Sequence, residues 1–189
     1  WRYVCFDPAV INDNGTIRLY YGTSAPWLEG IPFKKMKERA YCDTFGRTLE
    51  QLRAVPEGIS GAYCVTLADD MLTAAGVPKR IDTAISGEAY KKHLFFEASS
   101  IRKVGDTYYF IYSSTNNHEL CYATSQYPDR DFTFRGCIVS NGDIGYQGRK
   151  TKERLNHTGT NHGSIECVNG QWYVFYHRLT HQSDYSRQA

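Results

Sequence analysis

Two carboxylic acids and one imidazole occupy matching places in this sequence. Asp7, Glu97 and His162 each lie three or four residues before a segment of similar length and composition. Brought together, such groups could perform general acid–base catalysis, in which one acid donates a proton and a neighbouring charge controls when that proton is held. A pair of carboxyl groups used in this way is the arrangement that cleaves glycosidic bonds.

The surroundings of Glu97 favour a proton donor. It stands in the stretch HLFFEASSIRKVGDTYYFIYSS, residues 93–114, after Phe95 and Phe96 and before small residues. These aromatic neighbours would remove water from the carboxyl group, and a nearby Asp7 charge would favour its protonated form. Each residue also has an ordinary explanation. Asp-Pro often opens a strand or turn, a glutamate at a strand edge is usually solvated, and one histidine alone makes no metal site.

An internal repeat follows each of the three residues. The segments VINDNGTIRLYY from Val10, IRKVGDTYYFIY from Ile101 and IECVNGQWYVFY from Ile165 align without gaps. Each has an apolar start, a polar turn with Gly and an aromatic-rich end, which predicts a β-hairpin. If the copies are successive units around one axis, the three side chains that precede them converge at one end of that axis.

Further short alternating runs supply additional strands, at residues 61–68, 118–125 and 133–140. Repeated four-stranded antiparallel units predict a β-propeller, in which the first strand of each blade lines the central channel. A β-sandwich is the competing all-β fold. Helical periodicity is limited to residues 48–55, and the basic run at 34–39 is interpreted as a solvated loop or turn.

The composition of the 189 residues fits one globular domain. A net charge of +2 gives no reason to expect nucleic acid as a partner, and no apolar run approaches the roughly 20 residues of a membrane helix. The six cysteines contain no C-x-x-C pair, so they give no zinc or redox signature. Four of them lie in strand-like segments and are interpreted as buried free thiols, which favours the cytoplasm over secretion.

Three motifs in chain order resemble a known family. FDPAVINDNG with LYYG, FFEASSIRKVGDTYYFIYSS with CYATS, and NHGSIECVNGQWYVFYHR are similar to successive blade motifs of glycoside hydrolase family 43. The similarity runs through nearly the whole chain. It implies a five-bladed β-propeller that acts on arabinosyl or xylosyl linkages of plant polysaccharides or oligosaccharides, as an α-L-arabinofuranosidase or β-xylosidase with an inverting mechanism.

The resemblance also implies roles for four residues. Glu97 matches the general acid, and Asp7 matches the acid that orients this donor and modulates its pKa. His162, in NHGS, matches a histidine near the propeller axis that lies beside the sugar site and, in many relatives, beside a hydrated structural calcium. Arg187, in YSRQA, resembles an arginine that reaches the sugar pocket. No required cofactor is implied.

The general base of the family has no match in this chain. In the family it is an Asp in the blade before the DPAV motif, and that blade would precede Trp1. Asp7 could be the base if its own blade were the first, but DNGTIRLYYG followed by GAYCVTLADDMLTAAGVPKRI resembles the second blade. We therefore interpret residues 1–189 as part of a single catalytic propeller domain, from the second blade to the fourth and the start of the fifth.

This interpretation implies three to four blades and a chain that is inactive by itself. A neighbouring chain or further segments would complete the propeller. Two other functions stay open at this point: a carbohydrate-binding propeller without turnover, which the unmatched base would favour, and a structural propeller that binds proteins, which a cluster of acids at the channel would argue against.

Overall fold

The structure is a computed structural model that describes residues 2–178. Within this range β-strands dominate. They are β1 (Ala9–Asp13), β2 (Thr16–Tyr21), β3 (Tyr63–Thr66), β4 (Lys79–Arg80), β5 (Ile85–Ser86), β6 (Phe95–Val104), β7 (Thr107–Ser114), β8 (Leu120–Ser125), β9 (Phe132–Val139), β10 (Gly163–Val168) and β11 (Gln171–Tyr176). The helices are α1 (Pro26–Glu29), α2 (Lys34–Phe45) and α3 (Leu49–Arg53), with 3₁₀ turns at Asp82–Ala84, Glu88–Lys92, Tyr146–Gly148 and Thr151–Glu153.

The strands form three separate sheets. The first sheet has the antiparallel order β1-β2-β3-β4, and the second has the order β5-β9-β8-β7-β6, with β5 parallel to β9 at its outer edge. The third is the two-stranded hairpin β10-β11. The strand β6 packs against both β1 and β10. One strand from each sheet, β1, β6 and β10, therefore lies beside the next, as the innermost strands do around a propeller channel.

The predicted repeat is confirmed as three antiparallel hairpins in one register. The aligned positions pair identically: Val10 with Leu19, Ile101 with Phe110 and Ile165 with Val174. The further strands predicted after the first two hairpins are also present, as β3, β8 and β9. Numbering these sheets as the second, third and fourth blades of a propeller stays a prediction.

The helix α2 corrects the interpretation of residues 34–39 as a loop or turn. These residues begin a 12-residue helix that ends at Gly46, whose φ of 59° is the left-handed conformation common after a helix. Sequence periodicity did not indicate it because Tyr41 is its one buried residue; the rest of the helix, including the Arg39–Asp43 pair, is at least partly exposed. The predicted helical turn at 48–55 is confirmed as α3.

Two hydrophobic clusters stabilise the arrangement. One lies between the first two sheets, where Tyr20 of β2 and Phe110 of β7 contact each other and are fully buried. The other packs the three helices on the outer side of the first sheet around Tyr63, which stacks on Tyr3 at 4.1 Å. Burial at this level favours folding by about 1.5–3 kcal/mol for each large side chain.

The cysteines are only partly as predicted. Cys64 and Cys121 are buried. Cys137 and Cys167 are exposed, because Cys137 lies on β9 beyond the residues that pair with β5 and Cys167 lies on the hairpin β10-β11. Among residues 2–178, every helix is too short or too polar to cross a membrane.

Candidate active site

Asp7, Glu97 and His162 converge, as their shared place in the repeat predicts. Nε2 of His162 lies 3.0 Å from Oε1 of Glu97, and Nδ1 of the same ring lies 3.7 Å from Oδ2 of Asp7. The three proton-exchanging atoms lie within 4.8 Å of one another. Each residue comes from the beginning of a different sheet, so the imidazole of His162 bridges two carboxylates from two neighbouring sheets.

A β-bulge directs Glu97 toward this cluster. The pairing of β6 with β7 shifts between Phe95 and Glu97 and again between Glu97 and Ser100, and Ala98 has a φ of 60°. An alanine in the left-handed region is strained, and bulges of this kind re-aim a side chain at functional sites. The bulge also explains why Glu97 precedes its repeat by one residue more than Asp7 and His162 precede theirs.

Asp7 occupies a left-handed conformation just before β1. Its φ is 41°, which Asp tolerates better than most residues because its short polar side chain can bond locally. The preceding carbonyl of Phe6 accepts a hydrogen bond from the N–H of Gly22 at 2.8 Å. Gly22 has a φ of 124°, and a Cβ there would lie 2.0 Å from the carbonyl oxygen of Gly61, so no other residue fits.

His162 is positioned by the start of the third sheet. Its carbonyl accepts a hydrogen bond from the N–H of His177 at 2.9 Å, across the hairpin. The next residue, Gly163, lies so close to β11 that a Cβ would be 2.4 Å from the carbonyl oxygen of Phe175. This close approach is why the histidine is followed by glycine, and it sets the ring between the other two sheets.

The electrostatics of the cluster raise the pKa values of Asp7 and His162. Burial raises the pKa of Asp7, the nearby Glu97 charge adds to this, and the charge of His162 opposes it. The hydrogen bond to Glu97 raises the pKa of His162, and the charges of Asp7 and Glu97 raise it further against the effect of burial. The Glu97 side chain is only 13% exposed. His162 is therefore hydrogen-bonded to Glu97 and lies within ion-pair distance of Asp7, whose Oδ2 has no hydrogen-bond partner among the described residues.

His118 is a candidate that sequence reasoning missed. It lies in the turn between β7 and β8 with a φ of 50°, and its ring meets Phe96 edge-on at 4.8 Å. Burial lowers the pKa of His118, while the charge of Glu97 acts in the opposite direction. The one signal in the sequence was a histidine in the polar turn TNNHEL, which is too common a feature to single out.

Two surfaces beside the cluster could receive a ligand. Trp27 is 56% exposed and stands edge-on to Phe96 at 6.0 Å, so its indole face is available next to the Glu97 segment. On the channel side, an open depression of about 510 Å³ is lined by the cluster residues Asp7 and His162 together with side chains of β1, β6 and β10. Arg102 of β6 also lines this depression.

The described residues do not by themselves supply a calcium ligand sphere. Calcium takes six to eight oxygen ligands, whereas this cluster offers two carboxylates and one imidazole. Both ring nitrogens of His162 face carboxylate oxygens, Nε2 at 3.0 Å from Glu97 and Nδ1 at 3.7 Å from Asp7. A hydrated calcium beside His162, expected from the resemblance, stays a prediction.

Two other expectations are not tested. Arg187 lies outside the described residues. The roles expected for Glu97, Asp7 and His162 stay predictions, although their positions are now known. The distance between Asp7 and Glu97 bears on whether Asp7 could be the general base. In inverting enzymes the acid and base carboxyls lie about 6.5–9.5 Å apart to leave room for water. One oxygen of Asp7 and one of Glu97 lie within 4.8 Å of each other, which is shorter than this range.

Comparisons with curated proteins find relatives of one kind. A xylosidase/arabinosidase of Thermoclostridium stercorarium is 49% identical over 133 residues, which are 68% of this chain and 28% of the relative. A β-xylosidase of Xylanibacter ruminicola is 29% identical over 183 residues, or 94% of this chain and 50% of the relative. The chain thus spans half or less of the length of the curated relatives it matches. No protein-family profile matches the chain.

Solved structures agree in fold. A family 43 β-xylosidase/α-arabinofuranosidase from a compost metagenome, described as a calcium-free complex with xylotriose, has a TM-score of 0.60 and 31% identity over 92% of this chain and 49% of its own. A family 43 enzyme of Xanthomonas citri has a TM-score of 0.60 at 26% identity, over 93% of this chain and 48% of its own. The fold is that of part of a five-bladed β-propeller. In sequence and fold, the chain belongs to glycoside hydrolase family 43.

Proposed function

We propose that the whole protein that contains this chain is a glycosidase that removes arabinosyl or xylosyl residues from plant polysaccharides or oligosaccharides. The observation that supports this most directly is the bridge from His162 to both Glu97 and Asp7, made by residues from three sheets. The curated relatives named xylosidase/arabinosidase and β-xylosidase support the class of substrate.

In this mechanism Glu97 donates a proton to the oxygen of the departing sugar. Its side chain is only 13% exposed, which keeps bulk water away from the carboxyl group, and His162 contacts only one of its two oxygens, Oε1. The other oxygen can therefore face the glycosidic bond. General acids used in this way contribute about 10²- to 10⁴-fold to the rate.

Asp7 and His162 control the donor in this proposal. Asp7 places a second carboxyl group beside Glu97, and His162 lies between the two, where a protonated imidazole would stabilise negative charge on either carboxyl group. His162 also fixes the orientation of the Glu97 carboxyl group through the 3.0 Å contact.

The general base comes, in this proposal, from a part of the whole protein outside the described residues. The short distance supports this, because an oxygen of Asp7 lies within 4.8 Å of one of Glu97, whereas inverting acid and base carboxyls lie about 6.5–9.5 Å apart. The exposed face of Trp27 is a suitable platform for a sugar ring next to the donor, and Arg187 and His162 are proposed as further sugar-binding residues. No step in this mechanism uses a metal ion.

The test is hydrolysis by the whole protein of nitrophenyl α-L-arabinofuranoside and nitrophenyl β-D-xyloside. The first sugar anomer released, followed by proton NMR, should have the configuration opposite to that of the substrate. Retention would exclude the inverting mechanism. Binding of xylo-oligosaccharides without hydrolysis would contradict the proposed glycosidase activity. It would favour the second candidate function, a carbohydrate-binding propeller.

A further inference from the structure

A second group of ligand-type side chains meets in the second sheet, apart from the cluster of Asp7, Glu97 and His162. Its members come from the segments before β6 and β8 and from the strands β8 and β9. They are His93, Glu119, Cys121 and Cys137, and their ligand atoms all lie within 4.8 Å of one another. We call this group the thiol cluster.

The distances in the thiol cluster are close to those between the ligands of one metal ion. Nδ1 of His93 lies 2.9 Å from Oε2 of Glu119, 3.5 Å from Sγ of Cys137 and 3.9 Å from Sγ of Cys121. The two sulfurs are 3.2 Å apart, and Sγ of Cys137 lies 3.4 Å from Oε2 of Glu119. Four ligands about 2.0–2.3 Å from a tetrahedral ion are separated from one another by about 3.3–3.8 Å.

The fold gives each ligand a reason to be there. Cys121 and Cys137 are direct cross-strand partners, and the pairing of β8 with β9 shifts on the N-terminal side of Cys121. Glu119 precedes Cys121 by two residues and so points to the same face. The ring of His93 stacks on Phe134 with centroids 5.4 Å apart and planes at 13°, which fixes the direction of Nδ1.

We propose that the thiol cluster is a structural zinc site. Two sulfurs, an imidazole nitrogen and a carboxylate oxygen are the atoms that this borderline-soft ion prefers, whereas calcium and magnesium require oxygen. Binding transfers the two thiol protons to solvent and uses a lone pair on Nδ1 of His93, so any proton on Nδ1 also leaves or is replaced by one on Nε2. Four protein ligands fill a tetrahedral shell and leave no open position for water or substrate, which is the pattern of a structural site.

A disulfide between Cys121 and Cys137 is the competing chemistry. It would use only two of the four groups. It would also leave the Glu119 side chain, which is 5% exposed, buried beside a neutral disulfide with only Asn116 and His93 as partners. The convergence of His93 and Glu119 on the same point as both sulfurs favours a cation.

The site would act as a clamp within the second sheet. It joins the segment before β6 to the strands β8 and β9. His93, in that segment, precedes Glu97 by four residues. Zinc would therefore stabilise the start of the strand that presents Glu97, without contacting the acid–imidazole cluster.

The experiment measures metal content and cobalt spectra of the whole protein, prepared under reducing conditions and without chelators. After dialysis against zinc, we expect about one tightly held ion per chain. Replacement by Co²⁺ should give the visible bands of tetrahedral cobalt together with near-ultraviolet sulfur-to-cobalt bands. Removing the ion with a chelator should lower the melting temperature, and zinc should restore it.

Matched variants localise the site. The variants Cys121→Ser, Cys137→Ser and Glu119→Gln should lose the ion or bind it more weakly. Cys167 is an exposed cysteine of the third sheet, so the Cys167→Ser variant should retain the ion. If a cysteine variant does not fold, the cobalt spectrum of the unchanged protein and the Glu119→Gln variant still decide. The proposal is overturned if reduced protein binds neither zinc nor cobalt, or if cobalt shows no sulfur bands. Isolation of a Cys121–Cys137 disulfide that takes up no metal after reduction would also overturn it.

Discussion

Nε2 of His162 is hydrogen-bonded to Oε1 of Glu97 at 3.0 Å, although the two residues are 65 positions apart in the chain. The contact joins the start of the second sheet to the start of the third, and Asp7 of the first sheet faces the other nitrogen of the same ring. A proposed proton donor is thus oriented by a residue that can itself be charged. This makes the cluster sensitive both to substitution and to pH.

Glu97→Gln should affect substrates according to their leaving groups. Because the proposed role of Glu97 is to protonate the departing oxygen, hydrolysis of xylo-oligosaccharides should fall by about 10²- to 10⁴-fold, and hydrolysis of nitrophenyl glycosides by much less. Steady-state kinetics of the whole protein measure both. Glu50→Gln, at an exposed position of α3, is the control and should change neither rate. Equal losses on both substrates would assign Glu97 a binding or structural role.

His162 and His118 should change stability with pH on opposite sides of their ordinary pKa of 6.5. The raised pKa of His162 means that its stabilising contribution is complete below pH 6.5 and is lost as the pH rises through the raised value. The lowered pKa of His118 means that its contribution is present above pH 6.5 and is lost as the pH falls through the lowered value.

The measurement is the difference in melting temperature between the whole protein and each of two variants, His162→Gln and His118→Gln, at a series of pH values. The His162 difference should shrink toward alkaline pH, and the His118 difference should change below pH 6.5. The raised pKa of Asp7 also affects stability at acidic pH. Because Asp7 is present in the unchanged protein and in both variants, its effect cancels in each difference, except for the part that comes from its interaction with the replaced histidine ring. NMR titration of the two rings gives their pKa values directly, and equal values would contradict the prediction.

Tyr108→Phe should weaken the contact between the first two sheets. The hydroxyl of Tyr108 and the ammonium of Lys103 both donate to Asp13, at 2.5 and 2.7 Å, and the Asp13 side chain is only 8% exposed. Removing the hydroxyl leaves a buried carboxylate with one donor fewer, which should cost about 1–3 kcal/mol in the free energy of unfolding. Tyr109→Phe, where the ring stacks on Tyr122, is the matched control and should have little effect.

This effect of Tyr108→Phe should depend on pH. Burial raises the pKa of Asp13, but hydrogen bonds from Lys103 and Tyr108 outweigh it and leave the pKa lowered. The contribution of the contact is therefore present above pH 3.8, the ordinary value for Asp, and is lost as the pH falls through the lowered pKa. Urea denaturation at neutral and acidic pH tests this, and a cost independent of pH would argue against the assigned hydrogen bonds.

Two substitutions of Ala98 should separate strain from packing at the bulge. With a φ of 60°, Ala98→Gly should be nearly neutral, within about 1 kcal/mol, because relief of strain offsets the added backbone entropy. Ala98→Val should destabilise by about 1–3 kcal/mol, since a β-branched residue is poorly accommodated there. It should also lower the rate, because it moves Glu97. If Val is tolerated without either effect, the bulge does not position the donor.

The repeated hairpins and the convergence of Asp7, Glu97 and His162 could be predicted because their signals are local. Each turn contains Asn, Asp or Gly at positions that need a positive φ, and each copy places its functional residue at nearly the same distance from the turn. The one-residue offset of Glu97 could not be interpreted from sequence, because a bulge is defined by the pairing of two strands.

The helix α2 and the thiol cluster could not be predicted, for different physical reasons. α2 buries only Tyr41, so it has almost no apolar face to produce a period. The thiol cluster takes its ligands from residues 93 to 137, and Cys121 and Cys137 become neighbours only when β8 pairs with β9. A search for closely spaced ligands in the chain therefore finds neither zinc nor a redox pair.

Because the cluster of Asp7, Glu97 and His162 takes one residue from each of three sheets, its geometry depends directly on the spacing between the sheets. Each sheet can keep its own hydrogen bonds while sliding against its neighbours, and a slip of about 1 Å is enough to lose most of a catalytic rate. Activity in increasing urea should therefore disappear before the far-ultraviolet circular dichroism of the strands changes, so that inactivation reports the loosening of the sheets and not their melting.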